Sequence, residues 1–167
     1  MSAPDSGNGN KIRLNLGCGQ TPLPGFVNVD LVARPGVDLA LDLEQTPWPW
    51  SDNAVDYILL SYVLEHISRF EAVWSEVYRV LKVGGKVEVR VVHGMSYDPF
   101  HTRYFKRASV SHLTNGYLGR FRLVGKVRME PLRTGFPYWH VKHHLGLDLP
   151  FLSIPKGMAF TLEKIAD

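Results

Sequence analysis

The sequence predicts an α/β fold: a mostly parallel sheet closed on one side by an antiparallel pair of late strands. Three observations carry this. Through the first hundred positions short apolar runs alternate with turn residues, and one run is followed by an amphipathic helical repeat. Ala54–Tyr62 is β-rich and apolar, the pattern of a buried central strand. Two late alternating runs, Phe121–Met129 and Met158–Ile165, have no clear helix between them. With 167 residues, 45% of them apolar, the chain suits one domain with a sizeable core.

Residues 1–10 are small and polar and read as a disordered tail, leaving 11–167 as a single domain. Lys11–Leu16 alternates into a first strand that ends at Gly17-Cys18-Gly19. Phe26–Leu31 is a second strand and Val37–Leu43 a weaker third. Pro47-Trp48-Pro49-Trp50 is a rigid loop, because proline fixes φ and has no N–H to donate. After the fourth strand, Ala54–Tyr62, the spacing of Val73, Trp74, Val77, Val80 and Leu81 predicts a helix over 71–82. Val83-Gly84-Gly85 is expected to stop that helix, and Lys86–Val92 is the next strand. Residues 94–107 form a loop rich in His, Asp, Pro and aromatics, and Ala108–Leu118 is a short helix. Pro131–Pro155 carries Pro, Trp and Tyr residues that discourage regular structure.

One cysteine, Cys18, excludes a disulfide framework or a cysteine-rich zinc site, and it reads as a small packing residue rather than a nucleophile. No apolar run approaches the roughly 18 residues of a membrane span, and the start is not a signal peptide. A soluble cytoplasmic domain with no membrane partner is therefore expected. The formal charge is +3 but unevenly spread. Residues 1–100 hold 8 Lys and Arg against 12 Asp and Glu, and residues 101–167 hold 11 against 4, with five of the seven histidines. A solvated basic face explains this first, and contact with an anionic substrate or surface second.

In an open α/β sheet ligands bind beyond the carboxyl ends of the strands. Gly17 and Gly19 let the backbone bend sharply there and approach a ligand closely. Asp30 ends the second strand, where a carboxylate can accept bonds from both hydroxyls of a ribose. A dinucleotide does not fit. Gln20-Thr21-Pro22 stands where a third glycine and a helix are needed, and Asp30 follows Gly19 by only 11 residues rather than about 20. Cys18–Gly25 is long enough for an extended crossover but too short for a helix, so no helix dipole faces a pyrophosphate. The expected ligand is a nucleoside without phosphates. Asp42, ending the third strand, is placed to take an exocyclic adenine amine, and the Ser61-Tyr62 backbone to meet an amino-acid-like tail.

These pieces, in this order, resemble a small class I S-adenosylmethionine-dependent methyltransferase over about residues 11–93. The resemblance rests on Leu14–Gly19 (LNLGCG), Val27–Leu31 (VNVDL), Asp42-Leu43, Asp52–Ile67 (DNAVDYILLSYVLEHI) and Glu76–Gly85 (EVYRVLKVGG). It implies a Rossmann-like three-layer sandwich with a seven-stranded sheet, an antiparallel strand at the edge, the first crossover helix missing, and S-adenosylmethionine as cofactor. By resemblance Asn15, Gly17, Cys18 and Gly19 line the methionine end and Asp30 holds the ribose beside Leu31. Asp42 and Leu43 edge the adenine, and Ser61, Tyr62 and His66 lie near the methionine portion. Asn15 departs from the acidic residue usual in the family.

A sulfonium methyl is already activated, so the protein must align a nucleophile behind it and, for a hydroxyl acceptor, remove a proton. Histidine suits that transfer at neutral pH. His101, in the Tyr97–Phe105 loop, and His93, ending the fifth strand, are the catalytic candidates, with His66 on the cofactor side. Arg103, Lys106 and Arg107 read either as a clamp for a carboxylate or phosphate or as a solvated turn. His140, His143 and His144 share a face if helical, but no cysteine or carboxylate cluster supports them, and no metal is expected. Phe136–Phe151 reads as a lid or an oligomer surface. The leading expectation is methyl transfer to a small hydroxyl- or carboxyl-bearing, anionic acceptor, selected by loops 94–107 and 131–155. The rivals are a nucleic-acid methyltransferase, motivated by the basic segment, and a non-catalytic cofactor-binding protein, motivated by Asn15 and the short crossover.

Overall fold

The structure is a computed structural model that describes residues 11–94, 100–131 and 156–166. The expected tail, the Tyr97–Pro99 part of the loop, the histidines at 140, 143 and 144 and the 136–151 segment lie outside the described residues. Seven strands form one sheet: β1 (Arg13–Leu16), β2 (Val27–Asp30), β3 (Leu39–Ala40), β4 (Val55–Ser61), β5 (Leu81–His93), β6 (Phe121–Pro131) and β7 (Lys156–Lys164). Their spatial order is β3-β2-β1-β4-β5-β7-β6. β1 to β5 are parallel, and β7 runs antiparallel to both β5 and β6. The antiparallel strand is thus inserted one place in, and β6 is outermost.

Helix α1 (Phe70–Val80) links β4 to β5, and α2 (Ser109–Thr114) lies between β5 and β6. Val73, Trp74, Val77 and Val80 of α1 are buried, one apolar stripe at helical spacing. They join one core cluster with Leu14, Leu16, Ile58, Leu60, Val87, Val89 and Val91 from the strands and Val110 and Leu113 from α2. The alternate strand positions face the other way and are mostly polar, with Leu59 and Ala159 among the exceptions: the register sets Arg13 beside Tyr57 and Lys86, and Ser61 beside Arg90. Among the described residues no helix covers that face. Helices α1 and α2 thus lie on one side of the expected seven-stranded mixed sheet, and ion pairs lace the other.

The missing helix between β1 and β2 is replaced by an extended crossover with its own anchors. Asn28 Oδ1 accepts the Leu23 N–H at 2.7 Å and the Asn15 Nδ2–H at 3.0 Å, and Asn28 Nδ2 donates to the Leu23 carbonyl at 3.1 Å. Asn15 Nδ2 also donates to the Thr21 carbonyl at 3.2 Å. Side-chain amides here satisfy backbone groups that a helix would have satisfied internally.

Gly84-Gly85 does not stop the helix. α1 ends one turn earlier, with Leu81 already extended at φ −72°, ψ 133°. The glycines fall inside β5, where Val55 pairs with Leu81 and Tyr57 with Lys86, so four residues bulge opposite Asp56. The Pro-Trp loop packs as a rigid unit. Trp48 and Trp50 are both buried, edge to face with centroids 6.3 Å apart. Trp48 Nε1 donates to the Leu43 carbonyl at 3.0 Å.

Candidate cofactor and acceptor site

The parallel strands reverse direction of succession between β1 and β4, and the crevice beyond their carboxyl ends is the expected ligand position. The glycine loop lies there. The N–H groups of Gly17 and Cys18 both donate to the Val29 carbonyl, at 2.8 and 3.0 Å, which folds the loop against the end of β2. Gly17 and Gly19 take φ of +69° and +54°, the left-handed region that glycine enters without strain. A Cβ at Gly17 would run into the Val63 side chain, whereas space over Gly19 is open. Asp30 Oδ2 accepts the Gly19 N–H at 2.8 Å and Oδ1 the Val32 N–H at 3.1 Å. The loop and the carboxylate are one rigid unit.

Around this unit, Leu31 is 68% exposed and Val32 50%, apolar surface left uncovered at the strand end. Asp42 lies two residues past β3, its Oδ1 holding the Glu44 N–H at 2.9 Å. Two of the candidates face inward. Asn15 is only 3% exposed and both its amide protons are spent on the crossover, which it braces. Leu43 points into the core, so only its backbone can border an adenine. Cys18 is buried, and burial with the Asp30 charge beside it pushes its thiol up, which suits a packing residue.

Tyr62 follows β4 in a left-handed conformation, φ +57°, unusual for a residue with a side chain. Its N–H donates to the Arg90 carbonyl at 2.7 Å. The ring crosses to β7, where a Cβ on Gly157 would stand 2.7 Å from the hydroxyl. Gly157 therefore makes room for the tyrosine. Burial and the charge of Glu130 push the phenol up, so it stays a hydrogen-bond donor at neutral pH. The sequence placed the Tyr62 backbone near the cofactor, but not its side chain on the β5–β7 side.

The histidines divide. His66, in the 3₁₀ turn Leu64–His66, is exposed, and its ring meets His101 edge to face with centroids 4.7 Å apart. His93 ends β5, half-buried, bridged in parallel to Phe105. The 100–107 segment is stitched onto the segment after β4: the Thr102 N–H donates to the Glu65 carbonyl at 2.8 Å, and the Gly94 N–H to the Phe105 carbonyl at 2.8 Å. Arg103 takes part in that stitching. Its Nε and Nη2 donate to the carbonyls of Ile67 and Ser68, at 3.1 and 2.9 Å, and its guanidinium lies 5.0 Å from the Phe70 ring centroid. Both readings offered for Arg103, clamp and solvated turn, give way to a structural one, while Lys106 and Arg107 stay exposed. Sequence reasoning did not foresee the His66–His101 contact or the burial of Glu65, because both depend on where a distant loop lands.

Residues 27–89 match a family profile described as a methyltransferase domain. The structure has the class I S-adenosylmethionine-dependent methyltransferase fold. A methyltransferase-fold relative, the demethylmenaquinone methyltransferase of Renibacterium salmoninarum, is 30% identical over 80 residues, 48% of this chain and 33% of that protein. The match spans about a third of that relative's length. Among solved structures, 1,6-didemethyltoxoflavin-N1-methyltransferase from Burkholderia thailandensis, with 1,6-didemethyltoxoflavin and S-adenosylhomocysteine bound, superposes with a TM-score of 0.63. It is 14% identical, over 95% of this chain and 73% of that one. A SAM-dependent methyltransferase from Archaeoglobus fulgidus gives 0.61 at 16% identity, over 93% and 87%. Likeness at these identities concerns the fold. No helix among the described residues is long and apolar enough to cross a membrane.

The residues present in this methyltransferase fold suit an adenosine-type cofactor. Open space above Gly19, a carboxylate fixed at the end of β2 and uncovered apolar surface at Leu31 match a loop approach, a ribose and a flat apolar ring respectively.

Proposed function

We propose that the protein transfers a methyl group from S-adenosylmethionine to a small acceptor. The single observation that carries the reading is the Gly17–Gly19 loop locked to Asp30 by the 2.8 Å Gly19 N–H bond, at the point where strand order reverses. In this reading the Gly17 and Gly19 backbone borders the methionine end, Asp30 takes the ribose hydroxyls, Leu31 and the Asp42-Leu43 segment border the adenine, and Ser61 lies beside the methionine tail. The bound cofactor supplies an activated methyl group, and the protein's part is alignment and proton handling. His101, half-buried and held edge-on by His66, is the proposed base for a hydroxyl or carboxyl acceptor, and His93 the second candidate. Tyr62 donates a hydrogen bond on the acceptor side.

Calorimetry with S-adenosylhomocysteine tests cofactor binding, and labelled-methyl transfer into metabolite extracts tests the reaction. Saturation by NAD with no response to S-adenosylhomocysteine overturns the reading. Two glycine variants sharpen it. Gly17→Ala displaces Val63 and adds left-handed strain, so S-adenosylhomocysteine affinity is expected to fall by about tenfold or more. Gly19→Ala meets open space in the free protein and adds strain alone, about 1 kcal/mol of lost thermal stability.

A further inference from the structure

The bulge in β5 opens a second concave site at the opposite ends of the strands from the glycine loop. It is a cavity of about 540 Å³, lined in part by Lys11, Arg13, Lys82 and Lys86 with Asp56 and Tyr57. That volume lies within the range of small-molecule sites. Arg13 starts β1 and Gly17 follows its end, so the two sites are separated by roughly 13 Å along the strand.

The charges in this cavity do not balance. Its one acid, Asp56, is held by Lys82 through both oxygens, at 2.8 and 2.9 Å, and accepts the Ile12 N–H at 2.9 Å. The acids nearest in register are also committed. Glu163, opposite Lys86 in the ladder, pairs with Arg122 at 2.7 Å. Glu88 takes the Tyr57 hydroxyl at 2.5 Å and Arg90 at 2.8 Å. Lys11, Arg13 and Lys86 form no side-chain hydrogen bond or ion pair among the described residues. Three cations are left over around one hollow, in the half of the sequence where acids outnumber bases. Arg13 is also held in place. Its guanidinium carbon lies 4.0 Å from the Phe26 ring centroid and 5.4 Å from that of Tyr57, which pins the plane and leaves the in-plane N–H donors unused.

We infer that this cavity binds a phosphate-bearing small molecule, with Arg13 gripping the anion and Lys11 and Lys86 neutralising it. Four cations around a single carboxylate favour a multiply charged anion, and a pinned guanidinium fork matches phosphate oxygens in pairs. The ligand is distinct from the proposed cofactor, which has no phosphate, and the inference stands independently of methyl transfer.

Titration of pyrophosphate into the full-length chain at low salt is expected to give saturable one-to-one binding. Arg13→Gln and the double variant Lys11→Ala/Lys86→Ala should each weaken it by about tenfold or more. Lys126→Ala, an exposed cation on β6 outside this cavity, should leave it unchanged, and all variants should still unfold cooperatively, Arg13→Gln at a Tm lower by a few degrees at most for its lost ring contacts. Absence of saturation at millimolar pyrophosphate, or equal loss in Lys126→Ala, overturns the site. Tighter binding of oligonucleotides, rising with their length and falling steeply with salt, assigns the cations to a nucleic-acid backbone and also overturns it.

Discussion

Asp30→Ala is expected to abolish measurable S-adenosylhomocysteine binding while the chain stays folded. The carboxylate does two jobs that fail together. It offers charge-assisted acceptors to a ribose, each worth about 1.5–3 kcal/mol, and it fixes the Gly19 and Val32 N–H groups that shape the loop. Losing both ribose bonds alone weakens affinity by roughly two to four orders of magnitude. The stability cost is small by comparison, about 1 kcal/mol, because Val32 is half exposed and its freed N–H can reach water. Asp30→Asn keeps an acceptor without the charge and should fall between. Calorimetry on the three proteins, with thermal unfolding as the folding check, reads both effects. Undiminished binding in Asp30→Ala sinks the cofactor assignment.

The strand pattern and the glycine–aspartate pair could be read from sequence because each depends on local spacing. Alternation in Lys11–Leu16 and Phe26–Leu31 sets which residues face the core, and the shortness of Cys18–Gly25 forbids a helix there whatever surrounds it. Side chains whose role depends on a second segment could not be read that way. Resemblance alone places Asn15 at the methionine end, and that its amide is held by Asn28, thirteen residues on, could not be read from its neighbours. Arg103 reads as a clamp or a solvated turn, yet its partners are backbone carbonyls of Ile67 and Ser68, more than thirty residues back. Gly84-Gly85 has the residues of a helix stop, but Val80 and Leu81 end the helix first by pairing Leu81 into the sheet, so the glycines become a bulge. Tyr62 is the same case at the site itself. Its direction is decided by the space at Gly157, nearly a hundred residues away.

Glu76→Ala is expected to destabilise the fold by about 2–3 kcal/mol, lowering Tm by roughly 5–10 °C. Glu76 is 7% exposed on the core side of α1. Its Oε2 accepts the Trp48 N–H at 2.6 Å and Arg79 Nη2 at 2.7 Å, and its Oε1 accepts Arg79 Nε at 2.7 Å. Arg79 carries the clasp on to the Trp48 and Trp50 carbonyls and to Asp52. Truncation leaves a buried N–H unpaired and the guanidinium short of its main counter-charge. The loss stays at the lower end for a buried pair, because Arg79 keeps Asp52 and the two carbonyls. The pH dependence follows from the same contacts. Arg79 holds the Glu76 carboxyl below its ordinary value, so its stabilisation is present above about pH 4.3 and is lost as pH falls through the depressed value. Urea unfolding at pH 7 should therefore separate wild type from Glu76→Ala, and the gap should narrow in strong acid. A gap independent of pH would mean that Glu76 acts by packing alone. The clasp also reaches the site: it fixes Trp48, whose indole holds the Leu43 carbonyl next to Asp42, so the variant should bind S-adenosylhomocysteine more weakly even at temperatures where it remains folded.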